Sequence, residues 1–381
     1  MSLTWRITGL IPGTIETPLL RMMLRFLGFK RVFKPRYYHW LATGADLYDL
    51  NKVLGRIRSR NQWWVEWQRL AEEYEHKGNR ALAAGHKITA RARYLRASTY
   101  FNIAQWIYFS VTPKKKDLVQ KSVEVYKKAG ELLQPLWKSV EIPFKNESCP
   151  GYLRLPSLEG QHPCILLIQG TGQSKEEGAQ FEEFFIKRGL ATLTLDGPGF
   201  GEARVLRNMT LTADSWGVYK SAIEYLQNQA QIYPDNISIS GISMGGYLAI
   251  KTAAALPNIR ACVSVAAPYD PIAYYDDLPY TIRRYLSFQF GLPERKIRTF
   301  LPYLSLKQDV SRLKCPLFII HGARDDAVPV TEAYRLYKAA KCEKRVKIYT
   351  KGYHACVQRW ATDLIAEVTD WLEERAFFNI D

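Results

Sequence analysis

The feature that most limits what this chain can become is a series of short apolar segments alternating with helical stretches from about residue 140 onward. Cys164-Ile165-Leu166-Leu167-Ile168, Ala191-Thr192-Leu193-Thr194-Leu195, Asn236-Ile237-Ser238-Ile239-Ser240, Ala261-Cys262-Val263-Ser264-Val265, Pro316-Leu317-Phe318-Ile319-Ile320 and Arg345-Val346-Lys347-Ile348-Tyr349 are each the length of one strand. Strands of this kind have little polar face to offer water, so they predict an α/β fold: a mostly parallel sheet with helices on both faces. Ligands of such sheets bind at the carboxyl ends of the strands. Residues that leave those ends are therefore the first place to look for chemistry.

One strand end carries Gly241-Ile242-Ser243-Met244-Gly245-Gly246. A Gly-x-Ser-x-Gly spacing has a mechanical reason: the serine takes a strained conformation at a sharp strand-to-helix turn, and the glycines let the two elements crowd together without Cβ clashes. The pentapeptide alone recurs by chance; its surroundings make it informative. A serine hydroxyl needs a base and an orienting acid to become a nucleophile. After the Ile319-Ile320 strand comes His321-Gly322-Ala323-Arg324-Asp325-Asp326, and after the Val346–Tyr349 strand comes Lys351-Gly352-Tyr353-His354. Asp325 is the expected acid, with Asp326 as its alternative, and His354 is the expected base. His321 is read as a structural residue bonded within its own turn. The chain order Ser, Asp, His at successive strand ends is hard to obtain by accident.

Acyl transfer also needs donors for a developing oxyanion, usually backbone N–H groups. Met244, directly after the serine, is expected to supply one. Gly170 or Thr171, in the loop Gln169-Gly170-Thr171-Gly172-Gln173, is expected to supply the other. A phosphate cradle is the rival reading of that loop, but the further glycine and lysine of a P-loop are missing.

Ahead of the strands the pattern is helical. Residues 17–28, about 62–78, 80 to about 110 and 113 to about 133 read as helices, so residues 1–138 form a helical N-terminal domain and 139–381 the sheet domain, with a cap segment at about 267–311. The charge follows this division. Residues 1–150 hold 26 lysines and arginines against 12 acidic residues, whereas 151–381 hold 27 against 25. A basic excess of this kind can serve nucleic acid, an anionic membrane or an acidic substrate; its ordinary reading is a solvated helical surface. Nucleic acid is not expected as a partner. Peripheral membrane contact through residues 18–29 is a weaker reading than a buried helix, and self-association is left open. The six cysteines show no paired spacing, so neither a disulfide framework nor a metal site is expected, and no cofactor is called for. The N-terminus shows no secretory or membrane-spanning run, which places the chain in the cytoplasm.

Residues 140–375 resemble the α/β-hydrolase superfamily, on Gly241-x-Ser243-Met244-Gly245-Gly246, Lys175-Glu176-Glu177 after the oxyanion loop, and Leu195-Asp196-Gly197-Pro198-Gly199-Phe200-Gly201-Glu202. With the helical region ahead, nearly the whole chain resembles the esterase branch that includes the fermentation/respiration switch protein, 2,6-dihydroxypseudooxynicotine hydrolase and fungal melanin-pathway hydrolases that shorten polyketides. The resemblance implies a helical domain over the sheet that helps to form the pocket, and a small-molecule carbonyl substrate of aromatic or polyketide type. It also implies that cleaving a carbon–carbon bond beside a ketone is as open as ester hydrolysis. Some members of the branch use a further carboxylate after the elbow strand; Asp276 and Asp277 lie in that neighbourhood, where the expected glutamate is absent. Acyl transfer with the same residues, or a non-catalytic binding protein on the same fold, are the alternatives.

Overall fold

A computed structural model describes residues 34–57, 59–357 and 361–377. The helix expected over residues 17–28 lies outside these. The sheet strands are β1 (Trp137–Phe144), β2 (Glu147–Arg154), β3 (His162–Ile168), β4 (Ala191–Leu195), β5 (Ile232–Ile242), β6 (Cys262–Val265), β7 (Leu317–Gly322) and β8 (Lys344–Tyr349). They form one sheet in the order β1-β2-β4-β3-β5-β6-β7-β8. The β1–β2 and β2–β4 pairs are antiparallel and the rest parallel, with Leu166 opposite both Leu193 and Ile239. Every residue of β4 and β6 is buried, as strands covered on both faces require.

The chain divides into two compact units, residues 1–134 with 278–285, and residues 135–277 with 286–381. In the first, the described helices are α1 (Lys34–Ala42), α2 (Leu47–Arg56), α3 (Arg60–Ala83), α4 (Lys87–Gln105) and α5 (Pro113–Glu131). Their core is aromatic: Trp40 lies 5.6 Å from Trp63, 6.3 Å from Trp67 and 5.8 Å from Trp106, ring centre to ring centre. The buried carboxylate of Asp49 accepts from the Tyr74 and Tyr100 hydroxyls at 2.7 and 2.6 Å. Thr112 caps α5, its hydroxyl accepting from Lys115 N–H at 3.1 Å, ahead of Pro113 at the first helical position.

The boundary between two helices differs from expectation, and the helix expected from 80 to about 110 is α4, Lys87–Gln105. Gly78 does not terminate a helix; α3 runs through it to Ala83, and the break comes at Gly85, with φ +81°. A Cβ at position 78 would lie 2.5 Å from the Tyr94 ring. Gly78 is a close-packing residue, which lets α4 lie against α3.

The second unit contains the sheet and its covering helices α6 (Ala179–Ile186), α7 (Gly201–Val205), α8 (Gly217–Gln227), α9 (Met244–Ala255), α11 (Glu294–Phe300), α12 (Thr331–Ala339) and α13 (Ala361–Phe377); α10 (Tyr280–Phe290) has residues in both units. Trp371 of α13 stacks 5.3 Å from Phe318 of β7, in a core that includes Ile165, Val263, Ile320 and Leu372. Each such aliphatic side chain contributes about 1.5–3 kcal/mol when removed from water. No described helix is long and apolar enough to cross a membrane.

Candidate active site

β5 ends at Ile242 and α9 begins at Met244, leaving Ser243 alone between them at φ +56° and ψ −118°. That conformation is strained for any residue with a Cβ, and the neighbouring glycines are what make it attainable. A Cβ on Gly241 would sit 2.1 Å from the Gly245 carbonyl oxygen, and one on Gly245 would sit 2.2 Å from that of Ile168. Strand and helix therefore touch backbone to backbone. Ser243 N–H donates to Val265 O at 2.7 Å, which ties the turn to β6. Ser243 is half-buried at the amino end of α9, where the helix dipole favours negative charge. Its Oγ makes no hydrogen bond among the described residues.

The turns after β7 and β8 are laced together. Ala323 N–H donates to Tyr349 O at 2.9 Å and Arg324 N–H to Gly352 O at 2.8 Å; a Cβ on Gly322 would meet Gly352 O at 2.4 Å. This brings Asp325 to His354: Nδ1 lies 2.9 Å from Oδ2 and 3.1 Å from Oδ1. Asp325 Oδ1 also accepts from Ala327 and Val328 N–H at 2.9 and 2.8 Å, which fixes the carboxylate in one orientation. Of the two adjacent carboxylates, Asp325 is the one bonded to His354. Burial alone would raise its carboxyl, but the charges and hydrogen bonds of His354 and His321 prevail and hold it well below the usual carboxylate range. Asp326, without such a bond, is pushed up to about 6 by burial and by the Asp325 charge.

His321 is fully buried, with Nε2 2.8 Å from Val328 O and 3.2 Å from Asp325 Oδ2. It and His354 both contact the same carboxylate oxygen, Oδ2 of Asp325. The turn that presents His354 takes positive φ at Ala355 (+54°) and Cys356 (+57°); Gly352 serves close approach, since a Cβ there would lie 2.9 Å from Tyr349 Cβ. Cys356 is fully buried, and burial pushes its thiol up to about 12.

The oxyanion loop corrects one expectation. Gly170 N–H is already bound, donating to Gln173 Oε1 at 2.6 Å. Thr171 N–H makes no hydrogen bond among the described residues, and so is the loop donor left free. The loop lies beside the serine: a Cβ on Gly170 would be 3.4 Å from Ser243 Cβ. Met244 N–H, at the first position of α9, has no intrahelical partner by geometry.

Asp276 and Asp277 also depart from expectation. Both are exposed, and Asp276 forms a surface ion pair with Arg298. Their exposure, and for Asp276 the arginine partner, supply no observation in favour of an auxiliary role, and that role is not carried further.

Behind the loop is a buried charge cluster whose residues the sequence offered without a role. Lys175 Nζ lies 2.8 Å from Glu176, 3.2 Å from Asp196 and 2.8 Å from Glu202, with no exposure. Asp196 also accepts from the backbone N–H of Lys175 and Glu202, at 2.8 Å each, and Tyr152 OH donates to Glu176 at 2.9 Å. Burial would lower the Lys175 ammonium, but the carboxylates prevail and raise it well above its ordinary value. Arg207 also pairs with Glu202 at 3.1 Å, and burial pushes Asp196 up to about 7. The cluster joins the far end of the oxyanion loop to the glycine-rich turn after β4. Gln173 and Gln289 were likewise silent in the sequence, the latter because its contact with Thr171 spans 118 positions. No group of three or more His, Cys, Asp or Glu side chains among the described residues is placed to hold a metal ion.

Comparison with known proteins bears on the fold and the family. Residues 219–376 match the model of the prolyl oligopeptidase family. The chain is 30% identical over 337 residues to a 2,6-dihydropseudooxynicotine hydrolase of Paenarthrobacter nicotinovorans, covering 87% of this chain and 89% of the relative. It is 30% identical over 241 residues to the alpha/beta hydrolase pydG of an Acremonium species, spanning only 55% of that protein. Among solved structures, the 2,6-dihydroxy-pseudo-oxynicotine hydrolase superposes with a TM-score of 0.82 at 26% identity, over 90% of this chain and 96% of the other. AbyA5 shares the fold, with a TM-score of 0.71 at 16% identity, over 94% of this chain and 99% of the other. The chain belongs to the α/β-hydrolase superfamily, in the family of the 2,6-dihydropseudooxynicotine hydrolase.

Proposed function

We propose that the chain is a serine hydrolase that removes an acyl group from a small carbonyl substrate through an acyl-enzyme. The observation that carries this reading is the bonded His354–Asp325 pair, which leaves the carboxyl ends of strands of the same sheet as the strained Ser243 and the Thr171 loop. Ser243 Oγ adds to the carbonyl carbon as His354 accepts the hydroxyl proton. Asp325, held ionised, fixes the imidazole tautomer and stabilises the imidazolium. The N–H groups of Met244 and Thr171 hold the tetrahedral oxyanion, whose negative charge the start of α9 also favours. The Ser243–His354 hydrogen bond closes on substrate binding, as such contacts commonly do.

Collapse of the intermediate expels either an alkoxide or, from a β-diketone, an enolate. In both cases the leaving group takes the proton held on His354. Water, deprotonated by His354, then releases the carboxylic acid and restores Ser243. Extensive likeness to a hydrolase named for 2,6-dihydropseudooxynicotine supports a small aromatic ketone as substrate, and buried Tyr274 and Tyr275 in the cap segment suit an aromatic group.

The test is product analysis with an aryl ester and an aryl 1,3-diketone that share one acyl group. The reading expects the common carboxylic acid, with one equivalent of alcohol or ketone, and its loss in Ser243→Ala. A folded wild type that releases acid from neither substrate, nor from any related member of the two series, contradicts it.

A further inference from the structure

Gln289, in the second half of α10, is 1% exposed. Its Oε1 accepts from the Thr171 hydroxyl at 3.2 Å, while its Nε2 is buried with no hydrogen-bond partner among the described residues. The glycine-rich turn after β4 is the bed on which this side chain lies. A Cβ on Gly199, whose φ is +91°, would fall 2.8 Å from Gln289 Cγ, and Leu211 N–H donates to Gln289 O at 2.9 Å. Gly199 thus leaves room for Leu211, whose Cβ would lie at 2.6 Å from such a Cβ, and for the stem of Gln289.

Glutamine is a poor choice for packing alone. A buried amide N–H left unmade is unfavourable by about 1–3 kcal/mol, and a methionine of similar length would fill the space without it. Local rules are broken in this way mostly beside functional sites. What glutamine supplies and methionine does not is an acceptor for the Thr171 hydroxyl. The loop is then held at three points: Gly170 by Gln173, Thr171 by Gln289, and Lys175 by Asp196. Only the second of these acts on the residue whose N–H is free.

We propose that Gln289 is a positioning residue of the oxyanion hole, which fixes Thr171 by its side chain so that the Thr171 N–H faces the tetrahedral oxygen. The inference rests on the acyl-enzyme reading above. It makes the cap segment part of the catalytic geometry without any contact to the reacting atoms, and catalytic donors need placement to within about 0.5 Å.

The experiment compares wild type, Gln289→Met, Thr171→Val and the double variant on one simple ester, with kcat expressed per active site titrated by a fluorophosphonate. Each single change is expected to lower kcat about tenfold with KM within about twofold, less than the loss of a whole donor. The double variant should be no worse than either single, because both remove the same hydrogen bond. A trifluoromethyl ketone, which forms a tetrahedral adduct on the serine, should lose affinity by the same factor, while the melting temperature of Gln289→Met stays level or rises. Gln289→Met with kcat within twofold of wild type overturns the proposal, as does a multiplicative loss in the double variant or unchanged ketone affinity. A folded wild type that the fluorophosphonate does not titrate overturns the acyl-enzyme reading and the proposal with it; equal kcat in titrated wild type and Gln289→Met overturns the proposal alone.

Discussion

Replacing Lys175 by methionine tests whether the buried charge cluster holds the oxyanion loop in place. The ammonium contacts Asp196, Glu176 and Glu202 at 2.8–3.2 Å and has no exposure to solvent. Methionine fills much of the same volume but leaves carboxylates buried without their counter-charge. Removing one partner of a buried ion pair costs about 3–5 kcal/mol. For a unit of this size each kcal/mol lowers the melting temperature by about 2–4 °C, so the fall should be roughly 6–20 °C. The pH dependence fixes the cause. Burial already pushes the Asp196 carboxyl up to about 7. A carboxyl raised in the folded state favours folding most below its unfolded value near 4 and loses that advantage as pH rises through the folded value. Without the ammonium the Asp196 carboxyl rises further and escapes its charge by taking a proton at low pH. The deficit of Lys175→Met should therefore be smaller at pH 5.5 than at pH 8, and adding Glu176→Gln should recover part of it at pH 8. Thermal melts of the three proteins across this range are the assay. A melting temperature within about 2 °C of wild type, or a deficit flat with pH, refutes the reasoning.

Other consequences are equally direct. Asp325→Asn keeps the shape of the His354 pair but favours the wrong imidazole tautomer, so kcat should fall by about 10⁴ with the circular dichroism spectrum unchanged. Asp326 is pushed up to about 6 by burial, above its ordinary 3.8, so its ionisation opposes folding as pH rises through that window. Asp326→Asn should accordingly gain roughly 2–3 kcal/mol over wild type at pH 7.5 and little at pH 4, read from denaturant melts. Asp276→Ala and Asp277→Ala, which alter only exposed groups, should leave kcat/KM within about twofold of wild type on any substrate turned over.

How much of this was legible in the chain depends on how local its cause is. The segment Cys164–Ile168 declares itself because burial on both faces demands an unbroken apolar run. Ser243 declares itself because the clash between Gly241 and Gly245 is settled within five residues. Asp325 and His354 could be picked out because each follows a strand end, although their 2.9 Å contact is a tertiary fact. Gly78 misled, since a glycine placed for the Tyr94 ring looks the same in sequence as one that ends a helix. Gly170 misled because only the folded loop shows Gln173 reaching back to occupy its N–H. Lys175 carried a pattern but no role, because the carboxylates of Asp196 and Glu202 lie on a different loop. Gln289 carried no pattern at all.

The most direct test of the central claim is the mass of the protein after exposure to a fluorophosphonate, wild type beside Ser243→Ala. The account predicts one phosphonyl adduct, mapped to the peptide that contains Ser243, and none in the variant. A folded wild type that gains no mass, or an adduct that persists in Ser243→Ala, would contradict it.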